Sequence, residues 1–269
     1  MGMQRLSIYN PFNAPVYHED TVDSTMEVSR VLAQSGEPHG TVIAADFQSA
    51  GRGRLRERAW HGEKGANLVF TVLLRFSGIE SIPPALSLRT GLAVSLAIED
   101  FVPALAGCVL IKWPNDIFIQ AATGGTEAAV GKAAGILAEA EGGNVHIGIG
   151  VNVAQKQFPD TLRGKATSIS LAADREIADE ERYTLLEKIL IRLHAEIEIS
   201  SRGRDGWRER IEARLYQKGR HVCFAEGPAD SPKTVTGILS GIGPGGELLL
   251  IPDGGVETAS FTTGELRIC

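Results

Sequence analysis

Two apolar runs joined by a tight polar turn constrain this chain more than any other feature. AGILAEAE (134–141) and VHIGIGVNVA (145–154) are each long enough for a sheet strand. Glu141-Gly142-Gly143-Asn144 between them has the composition of a hairpin turn, so the pair is predicted to run antiparallel. A sheet has to grow around such a pair. Three further runs supply it: TVIAADF (41–47), NLVFTVLLRF (67–76) and VLIKW (109–113), the last ended by Pro114.

Helical signals fall between these strands. Ser24 and Glu27 have capping-box spacing and Gly36 stands where a helix stops, which predicts a helix over 24–36. Pro83-Pro84 opens a long helix to about Val102, apolar on most faces and so buried. Residues 179–199 carry Leu185, Leu186, Ile189, Leu190, Leu193 and Ile197 on one stripe. A further helix is predicted from Trp207 to Tyr216, and 120–131, QAATGGTEAAVG, reads as a mobile loop. After Gly219 the pattern changes to short strands with glycine turns: HVCFAE, TVTGILSGI, GELLLIP and ETASF. The reading is an α+β domain over 1–218 followed by a small β domain over 219–269.

Composition narrows the function. The chain has 269 residues, 43% of them hydrophobic, and a formal net charge of −6. No run reaches the roughly eighteen apolar residues of a membrane helix, and the N-terminus lacks the apolar core of a secretory signal. A cytoplasmic protein without membrane contact is expected. Cys108, Cys223 and Cys269 are odd in number and far apart, indicating neither a disulfide framework nor a zinc site. The acidic balance argues against DNA as a partner.

Against that background SAGRGRLRERAW (49–60) stands out, with Arg52, Arg54, Arg56 and Arg58 set among Gly51 and Gly53. Glycine lets backbone N–H groups approach an anion, and arginine supplies planar, permanently charged donors matched to phosphate and carboxylate. The stretch reads as an anion clamp or as a solvated basic turn; it is not a Walker motif. KWPND (112–116) places a cation at a strand end, then a rigid Trp-Pro, then Asn115, able to bind an oxygen, and Asp116, able to hold Mg²⁺ on a nucleotide. Its plain alternative is a Pro-Asn-Asp turn. GKAAGIL puts Lys132 before small residues that let a flat ligand lie on backbone; otherwise Lys132 is a surface lysine. IGIGVN, with Asn152 at its end, suggests a strand packed closely against something. It lacks the third glycine and the helix of a dinucleotide fingerprint.

Together and in this order, these stretches resemble the biotin–protein ligases. The resemblance rests on Ser24-Thr25, on Gln48-Ser49-Ala50-Gly51-Arg52-Gly53-Arg54 with Trp60, on Lys112-Trp113-Pro114-Asn115-Asp116, on Lys132-Ala133-Ala134-Gly135-Ile136-Leu137, and on Gly148-Ile149-Gly150-Val151-Asn152. It covers about 20–218. It implies a mixed, largely antiparallel sheet with helices, like that of class II aminoacyl-tRNA synthetases, and an SH3-like C-terminal barrel. It also implies that biotin is activated by ATP with Mg²⁺ to biotinyl-5′-AMP and passed to a lysine of a biotin carboxyl carrier protein. Ser24, Thr25, Gln48, Gly51, Arg52, Gly53 and Gly135 would bind biotin. Trp60, Asn115, Asp116 and Asn152 would surround the nucleotide, with Asp116 near its Mg²⁺. Arg54 and Lys132 would serve both ligands, with Lys112 and Asp116 in the catalytic set. Met26 stands where many such proteins carry Asn. The resemblance implies no DNA-binding domain here, and a monomer or homodimer. The competing readings are a lipoate–protein ligase and a non-catalytic biotin-binding regulator.

Overall fold

The computed structural model describes residues 2–54, 60, 62–121, 130–201, 206–226 and 233–267. In chain order the elements are β1 (Gln4–Arg5), β2 (Val16–Val22), α1 (Thr25–Gln34), β3 (Thr41–Gln48), β4 (Asn67–Arg75), α2 (Leu86–Phe101), β5 (Val109–Lys112), β6 (Asp116–Gln120), β7 (Val130–Glu141) and β8 (Asn144–Asn152). There follow α3 (Ile169–Ala173), α4 (Glu181–Ser200), α5 (Trp207–Glu212), β9 (His221–Glu226), β10 (Lys233–Ile242), β11 (Leu248–Pro252), β12 (Ala259–Phe261) and β13 (Gly264–Arg267). The first eight strands form one sheet in the order β1-β2-β3-β4-β8-β7-β6-β5. β2 and β3 run parallel across α1; the other neighbours described in this sheet are antiparallel.

The sheet has two unlike faces because side chains alternate along each strand. On β4, Leu68, Phe70, Val72 and Leu74 enter the main core, and on β8 Val145, Ile147, Ile149 and Val151 do the same. α2 and α4, packed on one another, cover this face, with Leu185, Leu186, Ile189, Leu190 and Leu193 of α4 buried. The opposite face carries Thr71 on β4 and His146, Gly148, Gly150 and Asn152 on β8. It faces α1, where Thr71 meets Thr25 and His146 meets Ser29. The stretch Ile79–Phe101 is long and apolar enough to cross a bilayer by composition, yet it contains α2, whose residues are buried between sheet and α4.

Several boundaries differ from the sequence reading. Ser24 is the N-cap of α1, but its Oγ accepts from the Met26 N–H, and Glu27 pairs with Arg30 and Arg52, so no capping box forms. The nearby arginines win Glu27 because a charge-assisted bond is stronger than a neutral one. α2 begins at Leu86, after Ala85 adopts a left-handed φ of 55° that helix geometry does not allow. The chain reverses at once after Lys112, pairing it with Asp116, so DIFIQ forms a strand the sequence reading left unassigned. β7 starts at Val130, not Ala134; residues 122–129 of the expected loop lie outside the described residues. α5 ends at Glu212.

The C-terminal strands form a second antiparallel sheet, β12-β11-β10-β9-β13, consistent with an SH3-like module. β13 was not expected. Trp113 ties this sheet to the larger one: its Nε1 donates to the Gly246 carbonyl at 2.9 Å and its ring lies 5.8 Å from that of Phe224. Glu212 adds a second tie by accepting from the Ile242 N–H. Cys108 is free, whereas Cys223 on β9 is disulfide-bonded to a partner outside the described residues.

His146 gives the packing of α1 a pH dependence. It is 1% exposed, with Nδ1 2.8 Å from the Ser29 hydroxyl. Burial pushes its pKa below the ordinary histidine value, and the charge of Arg30 pushes the same way, against Glu141 and Glu139. His39, half-buried on the Arg75 backbone, is lowered for the same first reason. An unfolded histidine takes up a proton near pH ~6.5 that the folded one resists. Stability is therefore full above that pH and falls as pH drops below it. Urea midpoints measured from pH 8 to 5 should fall more gently in His146→Gln than in the native chain; identical slopes would exclude His146 as a contributor.

Candidate active site

The site is built on absent side chains. Gly135 on β7 and Gly150 on β8 pair directly across the strands. A Cβ on Gly150 would stand 2.7 Å from Cζ2 of Trp60, and one on Gly135 would stand 3.5 Å from Cζ3 of the same ring. Gly148 is likewise pressed by Met26, whose Sδ would lie 2.9 Å from an added Cβ. The indole of Trp60 thus rests on a shelf of backbone, and at Gly150 a side chain would collide with the ring. Its Nε1 is buried with no hydrogen-bond partner among the described residues.

Lys132 and Asp116 stand at one end of the shelf. Their ion pair measures 2.6 Å, with side chains 36% and 22% exposed. A pair so open to water contributes only about 0–1 kcal/mol to stability, so it holds an ammonium in place more than it holds the fold. Lys132 Nζ lies 3.2 Å from where a Cβ of Gly135 would be, directly over the shelf. Its backbone is pinned through N–H to Lys165 O and through its carbonyl to the Thr167 N–H. Asn152 donates from Nδ2 to Thr167 O at 3.0 Å, and its Oδ1 is buried with no partner among the described residues.

The other end of the shelf is formed by the start of α1 and the end of β3. Gln48 Oε1 accepts from both the N–H and the hydroxyl of Thr25, at 2.8 and 3.0 Å. Gln48 Nε2 and Trp60 Cβ would lie 3.0 and 3.2 Å from a Cβ on Gly51, so the loop turns tightly over the glutamine amide. Thr25, Gln48, Gly51, Trp60, Gly135, Lys132 and Asp116 thus form one continuous line of contacts.

Other predicted residues are committed elsewhere in this structure. Arg52 pairs with Glu27 at 2.7 Å. Arg54 Nη2 donates to the Gly264 carbonyl of the C-terminal sheet at 2.8 Å. Asn115 donates to the Ile136 carbonyl at 2.7 Å and receives the Ile136 N–H on its own, which clips the turn into β6 against β7. Lys112 lies over the Phe118 ring, 5.1 Å from its centroid. Gly53 lies in the loop between these arginines, and Arg56 and Arg58 fall outside the described residues. Sequence reasoning missed Thr71, Glu27 and the junction role of Trp113. A lone threonine inside the apolar run LVFTVLL was the available signal for the first.

Among the described residues one trio has metal-ligand spacing, His18, Asp20 and Asp46, and it lies apart from the shelf. Asp46 already receives Arg182 at 2.6 Å and His18 at 2.9 Å, so its charge is compensated within the protein. Oxygen donors suited to magnesium at the shelf are the Asp116 carboxylate and Asn152 Oδ1.

Residues 19–154, half of the chain, match the biotin/lipoate A/B protein ligase family. A Bacillus subtilis bifunctional ligase/repressor BirA is 36% identical over 183 residues, covering 65% of this chain and 51% of that protein. The chain spans about half the length of that relative. A biotin–[acetyl-CoA-carboxylase] ligase of Paracoccus denitrificans is 32% identical over 238 residues, covering 85% of this chain and 90% of that one. The biotin protein ligase of Aquifex aeolicus, solved with biotin and ATP, superposes with a TM-score of 0.75 at 26% identity, over 94% of this chain and 97% of that one. The glycine shelf, the Lys132–Asp116 pair and the Gly-Arg loop all lie within the matched stretch, and the chain belongs to the biotin/lipoate A/B protein ligase family.

Proposed function

We propose that this chain is an ATP-dependent ligase that activates biotin and transfers it to a lysine of a biotin carboxyl carrier protein. The observation that carries the reading is the placement of Lys132, held by Asp116, beside a glycine shelf on which the Trp60 indole rests and which leads to the Thr25–Gln48 pair. In the first step a biotin carboxylate oxygen attacks the α-phosphorus of ATP. The bond from that phosphorus to the bridging oxygen breaks, and pyrophosphate leaves. In the second, the carrier's neutral ε-amine attacks the acyl carbon of biotinyl-5′-AMP. The acyl–oxygen bond breaks, AMP leaves, and the nitrogen loses a proton.

Both steps gather negative charge on oxygen, so fixed cations and N–H dipoles do most of the work. Lys132 neutralises the carboxylate and the α-phosphate where they meet. Ser24, Thr25, Gln48 and Gly51 grip the biotin head, and the shelf at Gly135 admits the flat ligand against backbone once the Trp60 indole swings off it. Trp60, Asp116 and Asn152 surround the nucleotide, and Asn115, bonded to the Ile136 backbone, holds the turn that carries Asp116 to it. Bound with ATP, Mg²⁺ would take most of its oxygens from phosphate and water and lower the charge of the leaving pyrophosphate, with Asp116 and Asn152 as its protein-side oxygens. Arg54, with Arg52 and Gly53, closes over the mixed anhydride and keeps water from it. In that role it exchanges the Gly264 carbonyl for the ligand. Lys112, at the end of β5, adds positive potential to the nucleotide side.

The named relatives and the ligands of the Aquifex protein support biotin over lipoate. ATP–pyrophosphate exchange by the purified chain should require biotin; exchange with lipoate alone would reassign the substrate, and none with either would leave a binding protein. Lys132→Ala should lower the exchange rate by two orders of magnitude or more, as expected for loss of a charge stabilising the transition state, about 10²–10³; near-native exchange would remove Lys132 from the chemistry. Arg54→Gly should release the adenylate and raise labelling of unrelated lysines, measured with a bystander protein. Unchanged retention of the intermediate would remove that role from Arg54.

A further inference from the structure

We propose that Thr71 is a positioning residue for biotin, acting through Thr25 to orient the amide of Gln48. The inference rests on the ligase reading above and adds a residue to it. Thr71 is fully buried on β4, opposite Gly148 of β8, on the sheet face that meets α1. Its same-face neighbours along the strand, Val69 and Leu73, are aliphatic, and an apolar residue of the same size would serve the core as well.

The direction of each bond follows from what each group is able to donate. The Thr25 backbone N–H only donates, so the Gln48 atom 2.8 Å from it is the carbonyl oxygen Oε1. That oxygen only accepts, so the Thr25 hydroxyl, 3.0 Å away, spends its one proton on it. The Thr71 hydroxyl, 2.8 Å from Thr25 Oγ1, must then be the donor. The relay is Thr71 to Thr25 to Gln48, with both lone pairs of the Gln48 oxygen filled. The amide is left with its NH2 turned to Gly51, where an added Cβ would meet Nε2 at 3.0 Å. A ligand on the shelf therefore meets an oriented donor in place of an amide free to flip. Chains of hydrogen bonds in a buried setting reinforce one another, so removing the first donor loosens the last.

The test is steady-state ATP–pyrophosphate exchange by the full chain. Thr71→Val keeps the shape and removes the donor; its KM for biotin should rise about tenfold, the weight of one hydrogen bond, with kcat and the KM for ATP within about twofold of native. Thr71→Ser should restore the biotin KM. In a Gln48→Ala background, Thr71→Val should add nothing, because the relay then has no end to orient. If the valine variant fails to melt cooperatively, Thr71→Ala removes the same hydroxyl without the added methyl. A biotin KM within twofold of native in the valine or alanine variant overturns the proposal. So does a serine variant as impaired as valine, an equal rise in the KM for ATP, or full additivity with Gln48→Ala. Native chain that shows no biotin-dependent exchange would instead overturn the ligase reading.

Discussion

The register of β8 between β4 and β7 is the constraint on which the rest depends. One residue's slip would turn Val145, Ile147, Ile149 and Val151 out of the helix-covered core and push Gly148 and Gly150 into it. The apolar alternation and the turn at Gly142-Gly143 fix that register, and the core's demand for buried side chains does the energetic work. The site is what this leaves on the other face: a strip without side chains, narrow enough that Met26 and Trp60 already touch it. The same pairing that stabilises the fold thus shapes the ligand surface, and neither is adjustable without the other.

Around that strip the polar residues divide by what holds them. Thr25, Gln48, Lys132 and Asn152 are anchored by backbone contacts of their own or of their neighbours, on strands or at a helix start. Arg52 pairs through its side chain with Glu27, and Arg54 donates through its side chain to the Gly264 carbonyl. Rigid first partners suit recognition of a fixed head group, where misplacement by an ångström is costly. Groups held through long side chains suit a closure that must open again for product to leave. The contact of Arg54 with β13 also means that the small C-terminal sheet shares in whatever the loop does.

The sequence exposes much of this and hides the rest for identifiable reasons. The β7–β8 hairpin, α1, α4 and the apolar strand β4 are legible because hydrophobic period and turn chemistry are local signals. β6 is hidden because DIFIQ is five residues long and follows its partner after a single turn. The capping box fails because Glu27 finds arginines from its own helix and from the loop, a competition no local rule contains. Thr71 is visible only as an oddity in an apolar run, since its meaning lies in Thr25, 46 residues away.

Trp113 shows how one motif serves two masters. In KWPND the tryptophan reads as half of a rigid Trp-Pro between polar groups; in the fold it is 3% exposed and donates its indole N–H to Gly246 across the junction between the sheets. Asn115, two residues on, is spent on the Ile136 backbone, and only Asp116 reaches Lys132. The motif is therefore a corner: Trp113 fixes where the small sheet sits, Asn115 fixes how β6 lies on β7, and Asp116 inherits a position set by both. An aspartate placed in this way needs no strong bond of its own to stay within reach of Lys132. That explains how a half-open ion pair, weak as a stabilising contact, still defines the geometry of the site.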